Sequence, residues 1–150
     1  MAAFEPGGST MVAAILESLL RFLVADGTPL GGFTSDGQLR AISADATMLV
    51  AGNIGDLTLL DGNGLPLRPL TGPDGGYGIS LESTVFSPDG ALVALTNSEG
   101  HLVVSKTSDG LVFLEKRSFS GMGLASWSQD GKVLATGGRD GIVKLWQMSP

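Results

Sequence analysis

The chain has 150 residues, 23 of them glycine, no cysteine and a formal net charge of −6. The length suffices for one domain with its own core, and the missing cysteine excludes disulfides and thiolate metal ligands. The nine Lys and Arg residues are scattered, with only Lys116-Arg117 adjacent, which argues against nucleic acid because phosphate binding needs clustered cations.

The chain begins with Phe4-Glu5-Pro6-Gly7, followed by an apolar stretch from Met11 to Ala25. Glu17 and Arg21 interrupt that stretch, and it is shorter than the roughly 20 residues of a bilayer span. It lacks a basic leading region and Glu5 precedes it, so neither a membrane segment nor an export signal is evident and cytoplasmic residence is the expectation. Two apolar strands with a turn near Glu17-Ser18 are favoured over an amphipathic helix. The reason is that Thr10-Met11-Val12-Ala13-Ala14 aligns with Thr47-Met48-Leu49-Val50-Ala51 at a spacing of 37. On the same offset Asp26-Gly27-Thr28-Pro29-Leu30 meets Asn63-Gly64-Leu65-Pro66-Leu67.

The stretch from Leu65 to Leu70 holds two prolines, which places it at a sheet edge, since proline cannot donate to a central ladder. Gly72 to Gly78 then reads as a connection. Farther on, Leu102-Val103-Val104-Ser105, the turn Ser108-Asp109-Gly110 and Leu111-Val112-Phe113-Leu114 form a hairpin pattern. The last stretch is the clearest. Leu124-Ala125-Ser126-Trp127, Val133-Leu134-Ala135-Thr136 and Ile142-Val143-Lys144-Leu145-Trp146 are strands, separated by Ser128-Gln129-Asp130-Gly131 and Arg139-Asp140-Gly141. Asp-Gly is a favoured hairpin pair because glycine accepts a positive φ.

These elements repeat. Ser87-Pro88-Asp89-Gly90-Ala91-Leu92-Val93-Ala94-Leu95 returns 41 residues later as Ser128-Gln129-Asp130-Gly131-Lys132-Val133-Leu134-Ala135-Thr136. Ser43 and Asp45 precede Ser87 and Asp89 by 44, and Phe4-Glu5-Pro6-Gly7 is a worn copy of Phe86-Ser87-Pro88-Asp89. A period of about 40 to 45 residues with short strands and Asp-Gly turns is the signature of a β-propeller blade. The expected fold is therefore all-β and propeller-type. It comprises four repeats of four-stranded antiparallel blades, approximately 1–40, 41–84, 85–125 and 126–150, the first and last incomplete. The repeats tile a single domain. Part of a larger ring, a half-ring pairing with another chain and a compact four-bladed ring all remain open.

Phe86-Ser87-Pro88-Asp89-Gly90, and Ala135-Thr136-Gly137-Gly138-Arg139-Asp140-Gly141 with Val143-Lys144-Leu145-Trp146, resemble the WD-repeat family. The resemblance implies a protein-interaction platform of four-stranded blades, with no cofactor. The Gly-His pair of the family is missing, as at Thr71-Gly72 and Ser120-Gly121, and its Trp-Asp pair survives only as Trp146-Gln147. The buried His–Asp–Ser/Thr–Trp network of the family therefore cannot form in its usual version.

No catalytic constellation emerges. His101 is the only histidine, and acid–base work needs a positioned partner that the sequence does not show. Asp89, Glu99, Asp130 and Asp140 occupy equivalent turn positions, where side-chain bonds to local N–H groups explain them better than catalysis or a metal. In the resemblance, partners meet the loops between second and third strands and those joining blades. That makes Asn53, Asn97, Ser98 and Arg139, with Tyr77 on a connection, the expected binding residues, solvated loop positions being the plainer reading of each. The leading expectation is a noncatalytic scaffold for a protein or peptide, with self-association or a companion propeller chain as a further partner and neither nucleic acid nor membrane. A propeller-fold enzyme or small-ligand binder is one alternative. A fragment of a larger repeat protein without independent function is the other.

Overall fold

A computed structural model describes residues 1–53, 56–70, 81–117 and 123–148. Its first sheet holds β1 (Ala2–Phe4), β2 (Thr10–Ile15), β3 (Ser18–Leu23) and β4 (Pro29–Thr34). The second holds β5 (Leu39–Ile42), β6 (Met48–Asn53), β7 (Asp56–Asp61) and β8 (Pro66–Leu70). In the third are β9 (Leu81–Phe86), β10 (Leu92–Asn97), β11 (His101–Lys106) and β12 (Val112–Arg117). The fourth has three strands, β13 (Leu124–Trp127), β14 (Val133–Gly137) and β15 (Val143–Gln147).

Every sheet is an antiparallel meander in chain order, and the described residues contain no helix. The sheets are consistent with propeller blades, and they do not close into a ring. The apolar stretch after Met11 forms two strands, as its repeat pattern predicts, with the turn at Leu16-Glu17. The stub expected of the first copy is a three-residue first strand. Both prolines of β8 lie on a sheet edge, where their missing N–H costs no ladder bond.

One turn recurs at the start of each sheet and fixes its register. In the second, third and fourth sheets a serine hydroxyl donates to the aspartate two residues on: Ser43 to Asp45 at 2.7 Å, Ser87 to Asp89 at 2.6 Å, Ser128 to Asp130 at 2.7 Å. The same hydroxyl accepts the backbone N–H of Met48, Leu92 or Val133, each at 2.9 Å. Each carboxylate also accepts an N–H, from Thr47, Ala91 or Lys132. The first sheet keeps only the backbone part, Glu5 N–H to the Thr10 carbonyl and Gly8 N–H to that of Glu5, because Glu5 and Gly7 replace the serine and aspartate.

The shared turn corrects the sequence alignment of the first two copies. Glu5 N–H bonds Thr10 as Ser43 N–H bonds Met48, so Thr10 is equivalent to Met48 at a spacing of 38 rather than 37. A one-residue slip sends every side chain to the opposite face, and the packing confirms the new register. Three apolar layers lie between successive sheets. Val12 and Leu19 meet Leu39, Leu49 and Leu60. Val50, Leu57 and Leu59 meet Val93, Leu95 and Val103. Ala94, Leu102 and Val104 meet Leu134 and Met148. Arg21 occupies a place in the first layer where the later sheets have Leu59 and Val104. Its guanidinium binds Glu5 at 2.9 Å and reaches the Gly62 carbonyl of the second sheet.

Leu16 in the β2–β3 turn has φ 54 and is 70 % exposed. An L side chain resists that left-handed region, by about 1–2 kcal/mol, while glycine costs about 0.5–1 kcal/mol in unfolded-chain entropy. Leu16→Gly is therefore expected to raise stability by about 0.5–1 kcal/mol. A urea midpoint below wild type would contradict the turn geometry.

Candidate functional site

Alternation of strand direction sorts the turns onto two ends. The Ser-x-Asp turns and the turns between third and fourth strands share one end. The ends of the second strands and the starts of the third share the other with the described connection from β4 to β5. At this second end the chain ties neighbouring pieces together: Ser35 N–H and Leu39 N–H donate to the carbonyls of Glu17 and Leu16.

Of the expected binding residues, Asn53, Asn97, Ser98 and Arg139 lie at this end, in different states. Asn53 is exposed at the tip of β6. It lines a cleft of about 350 Å³ between the first two sheets, together with Ser35, Asp36, Gly52 and Asp56. Gly52 is required there: its φ is 143, and an added Cβ would collide with the Asp56 carbonyl. Asn97 is 4 % exposed, and its Oδ1 accepts the N–H groups of Glu99 at 3.0 Å and His101 at 2.9 Å. It shapes the turn that presents the half-buried Ser98. Arg139 is exposed on the turn before β15, whose neighbour Asp140 accepts the Ile142 N–H at 3.1 Å. Tyr77 lies outside the described residues. Asp36 and Asp56 were not singled out in the sequence. Asp56 is the ladder partner of Asn53 in the β6–β7 hairpin, and the connection from the first sheet to the second carries Asp36 into the same cleft.

The acidic residues act mainly as turn formers. Asp89 and Asp130 close their turns as described, Asp140 caps Ile142, and Glu99 pairs with Arg117 at 3.9 Å. That last pair is exposed and worth little. The Ser87 hydroxyl and the Ala91 N–H hold the Asp89 carboxyl below its ordinary range, and the Ser128 hydroxyl and Lys132 N–H do the same for Asp130. At Asp45 partial burial pushes upward, but bonds from Ser43 and Thr47 outweigh it, and the net shift is also downward.

A depressed carboxyl binds fewer protons folded than unfolded. Its contribution is full above the unfolded value near pH 4 and is lost as pH falls through the lower folded value. Urea midpoints should therefore drop between about pH 5 and pH 2, and Ser87→Ala should flatten part of that drop. An acid limb of wild-type steepness in Ser87→Ala would contradict the assignment.

His101 is half-buried beside the Asn97 turn, and its Nε2 has no hydrogen-bond partner among the described residues. Among the described residues no three or more His, Cys, Asp or Glu side chains gather as a metal site. No described helix is long and apolar enough to cross a membrane. Of the His–Asp–Ser/Thr–Trp network, one link is made in the fourth sheet, Trp146 Nε1 to Thr136 Oγ1 at 2.9 Å.

Residues 120–147 match the family described as WD domain, G-beta repeat. The match falls on the fourth sheet, and together with the antiparallel four-stranded sheets it supports a WD-repeat family for the chain. No curated protein matches the chain. WD repeats generally mediate protein–protein interaction and are usually noncatalytic.

Proposed function

We propose that this chain of WD-type blades is a noncatalytic scaffold that binds a protein or peptide at the end carrying Asn53, Ser98 and Arg139. The observation that carries this reading is that Asn53, Asp56 and Arg139 are exposed and Ser98 half-buried at one end of the second to fourth sheets, beside turns closed by hydrogen bonds from Asn97 and Asp140. Rigid strands holding short loops at defined spacing suit recognition by several side chains at once. The cleft beside Asn53, with the carboxylates of Asp36 and Asp56, suits a cationic side chain of the partner, and the net charge of −6 favours its approach. Asn97 serves indirectly, by holding the Ser98 turn. Tyr77 belongs to the same proposal through its place in the chain, on the connection between the second and third sheets. Cytoplasmic residence is part of the reading and is tested by cell fractionation.

The test is selection of peptides from a random library on the immobilised chain, followed by calorimetry of the enriched peptide. Arg139→Ala and Asn53→Ala should each weaken binding by about tenfold or more, as at other interface positions that matter. Asp109→Asn, at the opposite end, should leave it unchanged. Binding that survives both loop substitutions and fails with Asp109→Asn would place the site on the wrong end.

A further inference from the structure

Each sheet has one face toward the sheet before it and one toward the sheet after it, and the same ladder positions serve each face throughout. Leu19, Leu57 and Leu102 sit opposite Ala14, Gly52 and Thr96 on the second strand of their sheets. All three are 0 % exposed, covered by the next sheet. Val143 sits opposite Gly137 in the same place and is 69 % exposed. Leu145 corresponds to the buried Leu59 and Val104 and is 70 % exposed. Leu124 extends the uncovered apolar face.

The first sheet shows the opposite face uncovered. Met11 and Ala13 lie where the later sheets place Leu49 and Ala51, or Val93 and Leu95, against the preceding sheet. Beside them Phe4, Ile15 and Leu20 are exposed. No charged side chain is among these positions on either face.

The two uncovered faces are thus the two halves of an interface that the chain makes three times within itself. We propose that a second copy of this chain docks there, the fourth sheet of one copy packing on the first sheet of the other in the ladder register used internally. The contact is heterologous, and made twice between two copies it closes a ring of eight sheets, within the usual propeller range. This surface is separate from the loop end proposed for partner binding. Because each copy carries −6, added salt should strengthen the association by screening repulsion outside the apolar contact.

Sedimentation of the chain alone at tens of micromolar tests the proposal, with no binding partner present. The expected mass is twice the 15.3 kDa of one chain. Leu145→Asp and Leu20→Asp should each weaken dimerisation by roughly a hundredfold or more. Both positions are exposed in the single chain, so circular dichroism and melting of the diluted variants should match wild type. Should either variant fail to fold, Val143→Ser or Ile15→Ser takes its place. An equimolar mixture of the two variants should recover part of the association, since one undamaged fourth-sheet face then meets one undamaged first-sheet face. A wild-type chain that stays monomeric would overturn the proposal and leave these faces to further blades of another polypeptide. Growth beyond two copies would overturn the closed pair, and a dimer lost through only one substitution would overturn the head-to-tail contact.

Discussion

Leu102→Ala should destabilise the protein by about 2–5 kcal/mol, the usual range for truncating a buried leucine, while Val143→Ala at the equivalent ladder position should cost less than about 0.5 kcal/mol. Leu102 is fully buried between the third and fourth sheets, among Ala94, Val104 and Leu134. Removing its isobutyl group forfeits transfer free energy and leaves a cavity that two sheets, pinned by their own ladders, cannot fill by collapse. Val143 holds the equivalent place on its own strand and is largely exposed, so alanine there loses little. Urea unfolding below the concentration of self-association measures both. Equal losses at the two positions would mean that the fourth sheet is covered within the chain. No loss at Leu102 would mean that the layers between sheets are wrongly drawn.

Trp127→Ala should cost about 2–3 kcal/mol, somewhat below the range for fully buried aromatics. The repeat places Trp127 on β13 where Phe86 stands on β9, and the structure bears out this equivalence through the pairings Phe86–Val93 and Trp127–Leu134. Both rings are half-buried rather than enclosed, because they line an opening of about 460 Å³ among the first strands. Trp127 also crosses to the neighbouring sheet, its Nε1 donating to the Val85 carbonyl at 3.2 Å. Trp127→Phe keeps most of the packing and removes that bond, so it should lose only about 0.5–1.5 kcal/mol. A phenylalanine variant as unstable as the alanine one would mean that the hydrogen bond, and not the ring, holds β13 against β9.

The sequence was most legible where turn chemistry and strand pattern agree. Residues 124 to 147 were read within a residue or two, because Ser128-Gln129-Asp130-Gly131 and Asp140-Gly141 each demand one backbone shape. The edge placement of β8 followed from its two prolines. The register of the first sheet was misread by one residue. Met, Val and Ala match Met, Leu, Val and Ala equally well in either alignment, whereas the hydrogen bond from Glu5 to Thr10 admits only one. The repeat predicts Phe86 and Trp127 buried at equivalent places, and their depth was misread as well, because a repeat establishes equivalence and says nothing of what lies across an opening. At the loop end, strand alternation predicts which turns share a side. It brings Asp56 beside Asn53 through the β6–β7 pairing, but not Asp36, which reaches the cleft only on the connection from the first sheet.

The central claim is a consecutive stack of blades whose inner layers are covered and whose outer faces are not. Amide hydrogen exchange followed strand by strand, at a concentration below self-association, tests it most directly. β6, β7, β10 and β11 lie inside their sheets with layers on both faces, so their amides should exchange slowest, near the limit set by global unfolding. The outward amides of β4 and β15 should exchange first. Protection at β15 equal to that at β10 would contradict the account.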